Sequence, residues 1–187
     1  MKHLYCFGDS LTYGFGLRQE DTWTEGLRHE GWYVENYGVN GDVLPNIVNR
    51  LKKMNPPKEN SYIFLMGGTN DLFMGYKAKD LLGPINSGLE IIMKWNCKAI
   101  LGIPMVPTFC IERRSYIQEQ TICREFLELK DSISKLGKER NVYIIDFQRE
   151  LGNLDYFQQL FFDDVHPNRQ GAREMKKALL QILDHIS

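Results

Sequence analysis

The stretch HLYCFGDS, residues His3–Ser10, decides the fold. A short run rich in apolar and aromatic residues ends abruptly at a glycine, an aspartate and a serine. Similar runs recur along the chain, at Tyr33–Tyr37, Tyr62–Met66, Ala99–Ile103 and Val142–Phe147. Runs of this length and composition predict strands that are mostly buried on both faces.

Segments with helical spacing lie between these runs. Two of them each place their apolar residues on one stripe: Leu82, Ile85, Leu89, Ile92 and Met93 in the first, and Phe126, Leu129, Ile133 and Leu136 in the second. The clearest is the C-terminal segment Met175–Ile186, in which Lys176, Lys177 and Gln181 take the opposite face. Alternating strands and helices predict an α/β fold, namely a three-layer α/β/α sandwich with about five parallel strands in a flavodoxin-like order.

Length and charge narrow the class of protein. With 187 residues and 43% hydrophobic content, the chain is expected to form one domain over residues 1–187. Its formal net charge of −1 excludes a basic footprint for nucleic acid. No signal peptide or transmembrane segment is visible, which favours a cytoplasmic protein. Nothing in the sequence indicates the oligomeric state.

The four cysteines are Cys6, Cys97, Cys110 and Cys123. They form no Cys-x-x-Cys pair and have no histidine at zinc-ligand spacing, so no metal is expected. Free thiols in a reducing compartment are favoured over a disulfide.

Ligands of an open parallel sheet bind beyond the carboxyl ends of the strands, and four polar signals are expected to follow strands there. The first is Gly8-Asp9-Ser10. Ser10 at the start of a helix suits a nucleophile, because free N–H groups favour developing negative charge. The alternative is that Ser10 or Asp9 only caps the helix.

The second and third signals are Asn40-Gly41-Asp42 and Gly68-Thr69-Asn70-Asp71. Gly41 is expected to bring its backbone N–H close to a substrate oxygen, and Asn70 to offer its side-chain amide as an oxyanion donor. The alternatives are a turn glycine beside an Asp42 N-cap and an Asx-type turn at Asn70.

The fourth signal is Asp163-Asp164-Val165-His166, just before the last helix. Asp163 is assigned as the acceptor for the Nδ1 proton of His166, so that Nε2 faces the serine as a general base. A surface or capping role is the alternative for His166, and solvation or capping is the preferred interpretation of Asp164. The four signals together favour acyl transfer over these separate structural roles.

The chain resembles the GDSL esterases and lipases, also called SGNH hydrolases, from residue 8 to residue 168. The motifs are Gly8-Asp9-Ser10-Leu11, Gly41, Gly68-Thr69-Asn70-Asp71 and Asp163-Asp164-Val165-His166. The resemblance implies a Ser10–His166–Asp163 triad, an oxyanion hole from Ser10, Gly41 and Asn70, an α/β/α fold and no metal or organic cofactor. Asp9 and Asp71 are expected to position these groups without contacting the substrate themselves.

The expected substrate is a small-molecule acyl ester with a short to medium chain. Apolar residues after the third and fourth strands are candidates for an acyl pocket, although ordinary packing explains them too: Phe73, Met74, Tyr76, Met105, Val106 and Phe109. Residues 104–116 are a candidate mobile flap, and Glu112-Arg113-Arg114 within them is a candidate anion contact or a solvated loop.

Other functions remain as alternatives. Within the family these are a carbohydrate O-deacetylase and a lysophospholipase or thioesterase, and outside enzymes a ligand-binding module. No Gly-x-Gly-x-x-Gly or Gly-x-x-x-x-Gly-Lys-Ser/Thr motif follows the first strand, which disfavours dinucleotide or nucleoside-triphosphate binding.

Overall fold

The computed structural model describes residues 2–111, 117–152 and 156–186. Within them a parallel sheet contains β1 (Lys2–Gly8), β2 (Trp32–Gly38), β3 (Tyr62–Leu65), β4 (Lys98–Ile103) and β5 (Tyr143–Asp146), in the order β2-β1-β3-β4-β5. Neighbouring strands are parallel throughout. The α/β prediction and its flavodoxin-like order are therefore confirmed.

Helices cover both faces of this sheet. In the described residues they are α1 (Ser10–Tyr13), α2 (Trp23–Arg28), α3 (Leu44–Lys53), α4 (Thr69–Phe73), α5 (Ala78–Lys94), α6 (Thr108–Ile111), α7 (Ile117–Arg140), α8 (Phe147–Gly152) and α9 (Arg169–His185). Short 3₁₀ helices span Gln19–Asp21 and Phe157–Leu160. One core packs α3, α5 and α7 against the sheet, and the other packs α2, α8 and α9.

Side chains that alternate in direction along each strand contribute to both cores. Leu4 and Cys6 of β1 are buried on the side of α9, and Phe7 is buried on the side of α3. Successive side chains of a strand point to opposite faces, so a strand covered on both sides needs a continuous apolar run. In α5 the predicted stripe is shifted, because Leu81 takes a core position and Met93 is 49% exposed.

The cysteine prediction is wrong for one pair. Cys110 in α6 and Cys123 in α7 form a disulfide with a Cα–Cα distance of 5.4 Å, whereas Cys6 and Cys97 are buried free thiols. Helices α6 and α7 contact each other, which spacing alone does not reveal. Disulfides are typical of oxidising compartments, so the cysteines do not support the expected cytoplasmic location.

The passage from β1 into α1 is tight at Gly8. A Cβ atom at this position would lie 2.0 Å from Thr12 Oγ1 and 2.9 Å from the carbonyl oxygen of Met66. Only a residue without a side chain fits there, which places Ser10 at the carboxyl edge of the sheet within two residues of the strand.

The helices were also compared with the length and hydropathy that a membrane span requires. None of the helices in the described ranges meets both requirements.

Candidate active site

Ser10 is the first residue of α1 and is nearly buried, with 7% of its surface exposed. The cap of this helix is Asp9, whose carboxylate accepts a hydrogen bond from the backbone N–H of Leu11 at 3.0 Å. The indole N–H of Trp23 donates to the carbonyl of Leu11 at 3.0 Å. The capping alternative therefore applies to Asp9, and the Ser10 hydroxyl is left to face the site.

Three of the predicted residues meet in one chain of hydrogen bonds. Ser10 Oγ lies 2.9 Å from His166 Nε2, and His166 Nδ1 lies 2.8 Å from Asp163 Oδ2. The other carboxylate oxygen of Asp163 accepts the backbone N–H groups of Val165 at 2.7 Å and His166 at 2.6 Å. This geometry fits a histidine that holds its proton on Nδ1 and accepts the serine proton on Nε2.

The environment of Asp163 keeps it charged. Its partial burial alone would raise its pKa, but the hydrogen bonds from His166 and Val165 outweigh burial and hold the pKa below its ordinary value. Hydrogen bonds to a carboxylate stabilise its ionised form. Asp163 is thus a permanent acceptor for the Nδ1 proton near neutral pH.

The loop that carries this pair does not directly follow a strand, contrary to the prediction. Helix α8 and the 3₁₀ helix Phe157–Leu160 come between β5 and His166. The chain then turns back as a hairpin, with an antiparallel bridge between Phe161 and Pro167 and a hydrogen bond of 3.1 Å from the Phe162 N–H to the His166 carbonyl. We call residues 161–167 the histidine hairpin.

Asn70 is connected to the turn of Gly41 through Asp42, the residue that follows Gly41. The Asn70 side-chain amide donates to the carbonyl of Asp42 at 2.8 Å, and Asp71 accepts the backbone N–H of Leu44 at 3.0 Å. A primary amide has two N–H donors, so Asn70 retains a second one. Gly41 has a φ of 73°, and beyond its two chain neighbours no atom lies within 4 Å of the position that a Cβ would take.

Arg50 stabilises the turn that contains Gly41 and Asp42, a role that the sequence did not indicate. Its guanidinium donates to the carbonyls of Gly8 at 2.9 Å and Tyr37 at 3.1 Å, and it forms an ion pair with Asp42. Val43, not Asp42, occupies the N-cap position of α3. One cation on α3 therefore ties together the ends of β1 and β2 and the turn that contains Gly41.

The two carboxylates behind the site are buried. Asp9 is fully buried, and this burial raises its pKa from an ordinary 3.8 to about 7; Asp71 nearby adds to the shift, and the Leu11 N–H opposes it. Burial also raises the pKa of Asp71, against the hydrogen bond from Leu44. Within the described part of the chain, nothing donates a hydrogen bond to Asp9 Oδ2.

The predicted acyl-pocket residues are placed in different surroundings. Met105 and Val106 are buried in the two cores, Phe109 is half-buried, and Phe73 and Met74 are 40% and 65% exposed. A cavity of about 10 Å³ beside Ser10 and His166 is at most large enough to hold one water molecule and is too small for a hydrocarbon chain. The acyl pocket stays a prediction. Glu112, Arg113 and Arg114 lie outside the described residues.

Two exposed phenylalanines beside His166 were missed. Phe15 and Phe162 have ring centroids 4.7 Å and 5.7 Å from the imidazole. The sequence offered a signal for each, since Phe15 closely follows Ser10 and Phe162 directly precedes Asp163.

The sequence and the fold were compared with those of known proteins. The model of the GDSL-like Lipase/Acylhydrolase family matches residues 6–174. No curated protein sequence matches the chain. The fold is similar to a lipolytic protein of the G-D-S-L family from Veillonella parvula, with a TM-score of 0.84, 23% identity and coverage of 97% of this chain and 98% of that one.

Two further solved structures share the fold. A putative lipolytic protein of the G-D-S-L family from Desulfitobacterium hafniense has a TM-score of 0.79 at 18% identity, covering 97% of this chain and 99% of that chain. The aryl esterase of M. smegmatis has a TM-score of 0.76 at 16% identity, with full coverage of both chains. The family match extends over most of the sequence and includes all the motifs discussed above, and the chain therefore belongs to the GDSL-like lipase/acylhydrolase family.

Proposed function

We propose that this protein is a serine esterase that hydrolyses carboxylic acyl esters with short to medium acyl chains. The observation that carries the proposal is the hydrogen-bonded series from Ser10 Oγ through His166 to Asp163, with distances of 2.9 Å and 2.8 Å. A nucleophile, a base and a group that orients the base are the minimum set for acyl transfer through an acyl-enzyme.

In the first half-reaction, Ser10 Oγ attacks the acyl carbon while His166 Nε2 accepts the hydroxyl proton. The charge on the carbonyl oxygen is stabilised by the N–H groups of Ser10 and Gly41 and by the free amide N–H of Asn70. The bond to the alcohol then breaks, and His166 returns the proton to the leaving oxygen. Alcohol departs and the acyl group stays on Ser10.

In the second half-reaction, water takes the place of the alcohol. His166 accepts a proton from the water as it attacks the acyl-enzyme, and returns it to Ser10 Oγ as the acid is released. Asp163 accepts the Nδ1 hydrogen bond throughout and compensates the positive charge on the imidazole. The chain's own groups supply every proton transfer in this scheme.

The first test compares the protein with Ser10→Ala on p-nitrophenyl acetate, butyrate and octanoate. Ser87→Ala is the matched control, because Ser87 is exposed on α5. Loss of hydrolysis in Ser10→Ala but not in the control supports the proposal, provided that both variants unfold like the parent. Equal rates in the parent and Ser10→Ala would refute it.

A serine-directed phosphonate gives a readout independent of substrate choice. Labelling of the parent at Ser10, located by mass spectrometry of its peptides, is expected even if the chosen esters are poor substrates. Thioesters, lysophospholipids and sugar acetates in the same assay separate the esterase from the alternatives within the family. Absence of both labelling and hydrolysis would favour the ligand-binding module.

A further inference from the structure

Exposed aromatic rings border His166 on the outside of the site. Phe15 is tilted by 45° to the imidazole, and Phe162 is stacked on it at an interplanar angle of 12°. The two phenylalanine rings are 6.1 Å apart and 43% and 47% exposed. The two adjacent rings form a contiguous exposed apolar patch, and such patches are typical of interaction sites.

Packing fixes the ring of Phe162, and contacts with Phe162 and His166 position the ring of Phe15. The ring of Phe162 packs on the backbone of Gly16, where a Cβ would lie 2.4 Å from Cζ, and Gly16 has a φ of 79° that favours glycine. The backbone N–H of Phe15 donates to the carbonyl of Ser10 at 3.1 Å. The pair is thus pre-organised, so a ligand that stacks on it pays little ordering entropy.

The position of the rings identifies the part of the substrate that they touch, given the proposed function on which this step rests. His166 returns the proton to the leaving oxygen, so that oxygen must lie next to Nε2. The carbonyl oxygen faces Gly41 and Asn70 instead. The group attached to the leaving oxygen therefore extends past the rings beside His166.

We propose that Phe15 and Phe162 form a leaving-group subsite that selects esters of aryl alcohols. Aromatic pairs prefer edge-to-face or offset contacts with centroids about 4.5–7 Å apart, which a phenyl group lying against the exposed sides of these two rings satisfies. A flexible alkyl alcohol of equal acidity gains less from the same surface, because it has no ring to stack.

The test uses two acetates with similarly acidic leaving alcohols, 4-chlorophenyl acetate and hexafluoroisopropyl acetate. Their acyl group is the same, so any difference in kcat/KM arises from the leaving group. We expect Phe15→Leu and Phe162→Leu each to lower kcat/KM about three- to tenfold for the aryl ester and less than about twofold for the alkyl ester. Tyr143→Leu is the control, because Tyr143 is an exposed aromatic residue at the amino end of β5.

The rate with the alkyl ester also shows whether a substitution has displaced His166. A substitution that only displaces the imidazole lowers both rates by the same factor, and this result would overturn the subsite. The rate at which the acetyl-enzyme is hydrolysed, measured after the burst, should be the same in both phenylalanine variants as in the parent. The leaving group has already departed at that stage. If Ser10→Ala still hydrolyses both esters, the proposed function fails; if activity depends on Ser10 but the ratio is unchanged, only the subsite fails.

Discussion

Thr108 donates two hydrogen bonds to Asp164, one from its hydroxyl group to the carboxylate and one of 2.9 Å from its backbone N–H to the carbonyl. Thr108 is nearly buried at the start of α6, and Asp164 is the neighbour of Asp163 in the histidine hairpin. The segment after β4 therefore supports the hairpin that carries His166, although it supplies no group to the proposed reaction.

Replacing Thr108 with valine should keep the shape of the side chain and remove the hydroxyl bond. We expect kcat to fall about tenfold, because small displacements of a catalytic base are costly, and the unfolding free energy to fall by about 1 kcal/mol. Steady-state kinetics and chemical denaturation measure the two effects. Thr121→Val, an exposed position on α7, should change neither; an unchanged kcat in Thr108→Val would show that the contact is not needed.

Asp163→Asn should lower kcat by about 10³-fold or more while the protein stays folded. An amide in place of the carboxylate can present an N–H to His166 Nδ1 and so favour the wrong tautomer. The comparison with Asp184→Asn, an exposed position on α9, controls for loss of charge. Similar activity in the two variants would remove Asp163 from the triad.

Asn70→Ala should reduce kcat by about 10²-fold or more, since one oxyanion donor is lost. The variant also loses the bond to the Asp42 carbonyl, so the unfolding free energy should fall by about 1 kcal/mol. Steady-state kinetics measure the first effect, and chemical denaturation measures the second. Near-normal turnover by the folded variant would contradict the role of Asn70.

Asp9→Asn should stabilise the protein at high pH. The pKa of Asp9 is about 7 in the folded state and near 3.8 when exposed, so the folded state binds its proton more tightly. Stability from this group is complete below pH 4 and is lost as pH rises to 7, by up to about 4 kcal/mol. Asparagine still caps through its oxygen and carries no charge.

Denaturation of Asp9→Asn and the parent at pH 5 and pH 8 measures this effect. The advantage of the variant should grow between the two values. Asp131→Asn, an exposed position on α7, should show no such trend. A constant difference between Asp9→Asn and the parent would mean that Asp9 is not protonated in the folded state at pH 5.

The Cys110–Cys123 disulfide should stabilise the chain by about 3 kcal/mol, as expected for a closed loop of this size. Reductant should lower the melting temperature of the parent and leave Cys110→Ser/Cys123→Ser unaffected. Thiol titration of the denatured parent should count two free cysteines before reduction and four after. Four free thiols in the unreduced protein would contradict the bond.

The fold was predictable because its signals are local. Each buried strand needs a continuous apolar run and each covering helix an apolar stripe, so β3 and α7 are visible in a short window of sequence. The stripe of α5 was assigned partly to the wrong residues, since Leu81 and Leu82 are neighbours and only packing in the core shared with α3 and α7 selects between them.

The supports of the site were not predictable, since they arise from distant segments. Arg50 contacts Gly8 and Tyr37 because α3 crosses the ends of two strands. Cys110 meets Cys123 because α7 returns beside α6. The positions of charged residues and cysteines in the sequence do not show which distant segments contact each other. The family motifs, by contrast, indicate Ser10, Gly41, Asn70 and His166 directly.

The histidine hairpin has a consequence for how this site can change over evolutionary time. Its proposed base and the proposed orienting acid are three positions apart, and the hairpin is closed by its own bridge between Phe161 and Pro167. Insertions or recombination events upstream of residue 161 can therefore exchange whole loops without separating the two groups. Two of the three residues of the proposed triad thus lie in one contiguous segment with α9, which leaves the segments after the other strands free to diversify.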